Sequence, residues 1–324
     1  MTKNTLTISS TVINTFMNCR EMLRFSQGGW ETTGFKRSIM FGQLLHHVFD
    51  SLYKKGLDLT ERNAHKLSTS WMAGVVGRVS DPQAVQELET MVAQVSALIP
   101  LYNLFWSKKK ADQFKIFGSE VEYKIPFFLP KEVCGHKRVF LRGHIDALGQ
   151  HGRQTWVIER KSMGQITPGE IHSVAKVAFQ NHFYLFCLAH TTKLLPQGKK
   201  PWGVIYDIIR VPGIKQKKTE SYNKFLKRVW DDIAAQPDHY FFRIPVEFSG
   251  LEMRGFETDL VAKITEYIKW KEGEAPHYLN NSGAVCRGRY SCDFLPVCAE
   301  GQGRIQDFGF YQKSKEKRIK FEGQ

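Results

Sequence analysis

Three charged residues end an apolar segment near the middle of the chain. The segment QTWVIERKS, residues 154–162, is typical of a buried β-strand and carries Glu159, Arg160 and Lys161 near its end. Charged side chains are rarely buried without partners, so their presence here needs a reason. Because residues i and i+2 of a strand share a face, Glu159 and Lys161 point to one side and Arg160 points to the other. Arg160 is therefore expected to serve structure or to contact a phosphate.

A second acidic residue lies on the strand predicted just before this one. In the segment KRVFLRGHIDAL, residues 137–148, His144 and Asp146 share a face. The two segments are joined by a short connection that contains glycine, which favours their pairing. Paired in this way, Asp146 would approach Glu159 and Lys161.

Two carboxylates held close together repel each other and take up protons unless a cation lies between them. Carboxylate oxygens suit Mg²⁺ or Mn²⁺, which also accept phosphate oxygens. The pattern therefore predicts hydrolysis of a phosphodiester, with Lys161 holding the attacking water or neutralising negative charge. The alternative is a surface ion pair between Glu159 and Lys161, worth under about 1 kcal/mol.

Four short motifs occur in a fixed order along about 140 residues: GQLLH (42–46), GHIDAL (143–148), VIERKS (157–162) and QNHFY (180–184). Together they resemble the G-x-x-x-H, aspartate, E-x-K and Q-x-x-x-Y elements of the PD-(D/E)XK nuclease superfamily, in its RecB-like branch. The resemblance implies an α/β fold: a restriction-endonuclease-like core with a mixed central sheet flanked by helices. The order of helices and strands along the sequence favours the same fold class.

The resemblance also implies roles for individual residues. The metal ligands would be His46, Asp146 and Glu159. The catalytic and positioning residues would be Asp146, Glu159, Lys161, Gln180 and Tyr184. The family often carries one more acid near the metals. Glu120 and Glu122 share a face of the strand before Asp146, and of these two Glu120 is the candidate.

Net charge points to a polyanionic partner. The 324 residues include 46 Lys and Arg against 32 Asp and Glu, a formal charge of +14. Such a surface favours nucleic acid first and an anionic membrane surface second. The chain contains no apolar run of the length needed to span a membrane, and its first residues lack the layout of a signal peptide. We therefore expect no membrane partner and a cytoplasmic location, which is the host cytoplasm if a phage encodes the chain.

Three of the six cysteines fall in one C-terminal window with the spacing C-x5-C-x5-C. They are Cys286, Cys292 and Cys298, and Cys19 near the other end of the chain could complete a set of four. Four thiolates can hold zinc or a [4Fe–4S] cluster. The arrangement resembles the iron–sulfur staple of AddB-like and CRISPR-associated relatives, in which the typical spacing is C-x2-C-x5-C. The resemblance implies a structural [4Fe–4S] cluster, with zinc or free thiols as the alternatives.

The chain is expected to form one compact unit with three parts. These are an N-terminal helical part (1–110), the nuclease core (111–250), and a C-terminal helix, cysteine segment and basic tail (251–324). The predicted function is a metal-dependent DNA nuclease, an exonuclease in phage or cellular recombination or repair. No Walker A motif is present, so any unwinding would need a helicase or recombination partner protein. The alternatives are a non-catalytic nucleic-acid-binding protein and a subunit active only within a larger complex.

Overall fold

The structure is a computed structural model. It describes residues 5–32, 35–77, 79, 81–135, 137–191, 193–195, 199–275, 283–287, 292–301, 305–307 and 310–312. The basic tail predicted at the C-terminus lies outside these residues.

The described residues contain eight strands and thirteen α-helices. The strands are β1 (Thr5–Ile8), β2 (Trp30–Thr32), β3 (Lys115–Phe127), β4 (Arg138–His151), β5 (Gln154–Met163), β6 (Pro201–Arg210), β7 (Phe241–Glu247) and β8 (Phe310–Gln312). The helices are α1 (Ser10–Asn18), α2 (Arg20–Gln27), α3 (Arg37–Lys54), α4 (Glu61–Val76), α5 (Pro82–Lys108), α6 (Lys131–Cys134), α7 (Pro168–Val177), α8 (Phe179–Ala189), α9 (Tyr222–Ala235), α10 (Pro237–Tyr240), α11 (Gly250–Lys271), α12 (Gly283–Cys286) and α13 (Leu295–Glu300).

Six strands form one mixed sheet in the order β1-β4-β5-β6-β7, and β3 also pairs with β4. β4 runs parallel to β1 and antiparallel to β5, while β6 runs parallel to β5 and antiparallel to β7. The parallel β5–β6 step requires a crossover connection, which α7 and α8 provide. The predicted α/β class with a mixed central sheet is confirmed.

Clustering of contacts divides the chain into two compact units. The central unit comprises Phe35–Ile125 and Gly143–Arg254, and the terminal unit comprises Met1–Gly34, Pro126–Arg142 and Gly255–Gln324. Among the described residues, no helix is both long enough and apolar enough to cross a bilayer.

The core of the central unit is built mainly from helices. α3, α4, α5 and α9 contribute a continuous set of buried apolar side chains, among them Phe41, Leu98 and Val229. α5 begins where the Asp81 carboxylate accepts a hydrogen bond from the Gln83 backbone N–H (2.9 Å), a usual N-cap. This core supports α3, which carries the GQLLH motif.

The terminal unit joins the two ends of the chain. β2 pairs antiparallel with β8, and the Phe25 ring stacks on Phe294 at 4.8 Å between centroids. The apolar spacing over residues 8–25 predicts one helix, but extended backbone at Cys19 (φ −162°, ψ 117°) separates α1 from α2. Apolar spacing over residues 171–193 likewise predicts one helix, but the extended backbone at Ala178 separates α7 from α8. Apolar spacing continues across both breaks, so periodicity alone could not locate them.

Candidate active site

Asp146 and Glu159 lie side by side where the β4–β5 ladder stops. The last pair of the antiparallel ladder is Ala147 with Ile158, and the same register continued by one residue sets Asp146 opposite Glu159. Instead of a further ladder bond, the Arg160 backbone N–H donates to Asp146 Oδ2 at 2.8 Å. The side chain thus satisfies a strand N–H, and its orientation is set by the backbone of β5.

His46 faces this carboxylate from α3. Its Nδ1 lies 3.6 Å from Asp146 Oδ1 and 3.9 Å from Glu120 Oε1. One donor atom from each of His46, Glu120 and Asp146 lies within 4.8 Å of the other two. α3 approaches β5 closely at Gly42, where an added Cβ would lie 3.4 Å from Ser162 Oγ.

Glu120 reaches this group through an irregular stretch of β3. Its backbone has φ +45°, a left-handed conformation that non-glycine residues seldom adopt. The preceding residue, Ser119, donates a hydrogen bond to Asp50 Oδ1 of α3 at 3.0 Å. Sequence analysis gave no role to Asp50 or Ser119. The spacing of Asp50 four residues after His46, on the same helix face, is the signal that could have indicated it.

Glu159 is almost fully buried and is held on one oxygen only. Its Oε1 accepts hydrogen bonds from Lys161 Nζ (2.6 Å) and Gln180 Nε2 (3.1 Å). Gln180 Nε2 also donates to the Tyr184 hydroxyl at 2.6 Å. The second oxygen, Oε2, is buried and has no hydrogen-bond partner in the described part of the chain. The structure therefore brings the E-x-K and Q-x-x-x-Y motifs into direct contact.

Burial disfavours charge throughout the group. Burial and, after it, the neighbouring Asp146 and Asp50 carboxylates together raise the pKa of Glu120 to about 7. Burial also raises the pKa values of Asp146 and Glu159, and in Glu159 the adjacent Asp146 adds to the effect. The pKa of His46 falls to about 4, chiefly through burial and then through the Arg160 charge. An imidazole with this pKa is neutral at pH 7, as a metal ligand must be.

These residues fit a divalent cation. Carboxylate oxygens are the donors that Mg²⁺ and Mn²⁺ prefer, and an imidazole is a common additional ligand for transition metals. Within the described residues, Oε2 of Glu159 is a buried acceptor without a hydrogen-bond partner, and a cation beside it would supply one. Burial is the main cause of the raised carboxyl pKa values, and a bound cation would lower them.

An open cleft of about 300 Å³ leads to the group. Its lining residues are His46, His47, Asp50, Lys54, Glu120, Glu122 and His144. The exposed His144 and Glu122 side chains lie 3.6 Å apart on neighbouring strands at the rim. The cleft leaves His46 and Glu120 accessible to solvent and to a polymeric substrate.

The four cysteines singled out by their spacing all belong to the terminal unit. The pKa of Cys298 is raised to about 11, chiefly by burial and then by Glu21 and the thiols of Cys19, Cys292 and Cys286. Cys292 and Cys298 pack beside the apolar cluster around Phe25 and Phe294. Thiols from both ends of the chain thus lie within electrostatic range of one another.

The remaining two cysteines are separate from this set. Cys187 is fully buried on α8, as its apolar surroundings in the sequence predict, and burial raises the pKa of its thiol. Cys134 ends the short helix α6.

Comparison with known proteins identifies the family of the chain. The family model of the PD-(D/E)XK nuclease superfamily matches residues 7–299. A solved structure described as "Crystal structure of SSO0001" aligns with 86% of this chain and 91% of that chain, at 13% identity and a TM-score of 0.29. No curated protein matches the chain at a significant level. The match to the family model spans most of the sequence, so the chain belongs to the PD-(D/E)XK nuclease superfamily.

Proposed function

We propose that the protein is a divalent-metal-dependent nuclease that hydrolyses phosphodiester bonds in DNA, acting as an exonuclease in recombination or repair. The observation that carries the proposal is the convergence of His46, Glu120 and Asp146, with donor atoms within 4.8 Å of one another. The Glu159–Lys161 pair adjoins this group through the Asp146 contact with β5. An acidic group beside a lysine, at the end of an open cleft, suits cleavage of a phosphate ester.

His46, Asp146 and Glu159 would hold the metal, and Glu120 would join them. When bound, Mg²⁺ or Mn²⁺ polarises a phosphoryl oxygen and lowers the pKa of a bound water. The Arg160 N–H keeps Asp146 in place, and Gln180 keeps Glu159 in place through Oε1. Neither carboxylate would need to reorganise when substrate arrives, which favours catalysis.

Lys161 would act on the reacting phosphate or on the attacking water. Its ammonium group is hydrogen-bonded to Glu159, and this carboxylate raises the lysine pKa against the opposing effect of burial. Lys161 therefore stays charged at neutral pH and can stabilise negative charge that develops in the transition state. Gln180 and Tyr184 would position Glu159 and, through it, Lys161.

The choice of DNA rests on charge. The net charge of +14 favours a polyanion, and contacts from lysine and arginine to phosphates need no particular sequence. Attack on ends or single strands would need no unwinding activity from the chain itself. A helicase or recombination protein would supply any unwinding.

Cys19, Cys286, Cys292 and Cys298 would hold a structural [4Fe–4S] cluster. Support comes from their mutual electrostatic influence and from the β2–β8 pairing, which brings the two ends of the chain together. The cluster would secure these ends and add to the stability of the terminal unit. Metal analysis and absorption spectroscopy of protein purified without oxygen would distinguish iron with sulfide from zinc. Free thiols with neither metal would contradict this assignment.

The test of the nuclease is cleavage of end-labelled linear DNA in Mg²⁺ or Mn²⁺, with closed circular DNA as the comparison. We expect degradation of the linear substrate only, lost in Asp146→Ala and in Lys161→Ala. The matched controls are Asp231→Ala and Lys227→Ala, which remove the same side-chain types from an exposed ion pair on α9. These controls should cleave as the unaltered chain does.

Two results would redirect the proposal. Cleavage of closed circles would replace the exonuclease with an endonuclease. Binding of DNA without cleavage under any metal would contradict a self-sufficient enzyme. It would favour a non-catalytic binding protein or a subunit that needs its partner.

A further inference from the structure

Arg160 is a buried cation behind the candidate site. Its side chain is 2% exposed and points to the sheet face opposite Glu159 and Lys161. Its guanidinium lies 4.6 Å from the Phe49 ring centroid and 5.1 Å from that of Tyr53. A charge taken this far out of water persists only with compensating partners. The two rings supply part of that compensation through their π faces.

The carboxylate that compensates Arg160 is Asp207. This residue is the single acid in the apolar run of β6 and is fully buried. It sits opposite Arg160 in the β5–β6 register, with Oδ2 at 3.5 Å from Arg160 Nε, an ion pair without a hydrogen bond within the described residues. The Tyr102 hydroxyl donates to the same oxygen at 2.7 Å, and Arg243 Nε lies 3.4 Å from Oδ1. Asp207 is thus engaged on both oxygens and out of reach of any substrate.

Arg160 connects three elements that carry candidate metal ligands. Its backbone N–H holds Asp146 of β4, and its own strand carries Glu159. Its guanidinium packs on Phe49 and Tyr53, which belong to α3, the helix of His46. The position of this guanidinium therefore sets the distance from α3 to the strand ends.

We propose that Asp207 and Arg160 form a positioning pair, which sets the spacing between His46 and Asp146 for metal binding. Asp207 anchors the guanidinium, and the guanidinium in turn holds α3 against β5. This inference rests on the proposed function, since the spacing matters only if a cation is bound there. Neither residue touches substrate or metal.

The test is direct titration of Mn²⁺ into the full chain, together with DNA cleavage. Asp207→Asn keeps the size of the side chain but removes the charge that anchors Arg160. We expect a folded protein that binds Mn²⁺ about tenfold more weakly or worse, the usual effect of losing a support behind a ligand. The KM for DNA at saturating Mn²⁺ should stay unchanged. The Asp146→Ala variant defines the Mn²⁺ bound elsewhere.

The matched control is Asp232→Asn. Asp232 also accepts a hydrogen bond from a tyrosine, Tyr240, in the central unit, but it does not contact the candidate site. If Asp232→Asn loses as much Mn²⁺ affinity as Asp207→Asn does, the loss is a general effect of destabilising the fold. If Asp207→Asn does not fold, Tyr53→Leu serves instead, because it removes one ring from Arg160 at a position that is only partly buried.

The outcomes separate this inference from the nuclease proposal. Unchanged Mn²⁺ affinity in a folded Asp207→Asn or Tyr53→Leu variant overturns the positioning pair. An unaltered chain that binds Mn²⁺ but cleaves no DNA overturns the nuclease alone. An unaltered chain that binds no Mn²⁺ overturns both.

Discussion

Metal binding at the candidate site should depend on pH between 6 and 8, and Glu120 should be the main cause. Burial and the neighbouring carboxylates raise the Glu120 pKa to about 7. A proton on this carboxyl must leave before the oxygen can bind a cation. His46, with a pKa near 4, is already neutral over this range and adds no dependence of its own.

The expected magnitude follows from competition between the proton and the metal. With a pKa of about 7, Glu120 is about 90% protonated at pH 6 and about 10% protonated at pH 8. The Mn²⁺ concentration for half-maximal cleavage should therefore fall about tenfold from pH 6 to pH 8. Glu120→Gln carries no proton to lose and should flatten this dependence. Any pH dependence of the Mn²⁺ requirement that remains in Glu120→Gln is caused by Asp146 and Glu159, whose pKa values are also raised.

The assay is a Mn²⁺ titration of DNA cleavage at pH 6, 7 and 8, at saturating DNA. The control is Glu122→Gln on the same strand, because its side chain is 77% exposed and lies at the rim of the cleft. Glu122→Gln should keep the full dependence. A tenfold dependence that persists in Glu120→Gln would refute the reasoning, and so would its absence from the unaltered chain.

Three further predictions concern stability and support of the site. The folded-state pKa of Glu120 is raised above 4.5, so the stability that its neutral form contributes is complete below about pH 4.5 and is lost as pH rises through about 7. Thermal unfolding of metal-free protein should show a loss of about 1 kcal/mol from Glu120 between these limits, below the full ~3 kcal/mol because the side chain is 30% exposed. Glu120→Gln should remove this contribution and leave only the part that comes from Asp146 and Glu159. Gln180→Leu removes a hydrogen bond to the charged Glu159, so kcat should fall about 10- to 100-fold, and an unchanged kcat would rule out this support. Gly42→Ala should leave cleavage intact and raise helix stability by up to about 1 kcal/mol, because the new methyl would meet Ser162 Oγ at an ordinary 3.4 Å; a loss of activity would show that the helix needs closer contact there.

Short-range patterns in the sequence were sufficient to predict much of the fold. The apolar spacing that predicts a helix over 82–108 is confirmed with the same bounds, because that helix is long and buried along its length. The period of two placed Glu159 and Lys161 on one face, where they form a 2.6 Å hydrogen bond. Gln180 and Tyr184 are four residues apart and therefore share a helix face, where Gln180 Nε2 donates to the Tyr184 hydroxyl at 2.6 Å. Each of these relations joins residues that are at most a few positions apart.

The sequence by itself therefore determined the α/β class and the family, and it predicts which short motifs carry chemistry. The tertiary structure alone brings Glu120, which has a left-handed backbone conformation in β3, to His46 and Asp146. It also sets Glu159 beside them, with one oxygen that has no hydrogen-bond partner among the described residues. The tertiary structure alone also places Asp207 directly opposite Arg160 in the sheet, although the two residues are 47 positions apart along the chain. Such distances depend on strand register and on how closely a helix approaches the sheet. Both arise from packing between segments far apart in the chain, which no local period encodes.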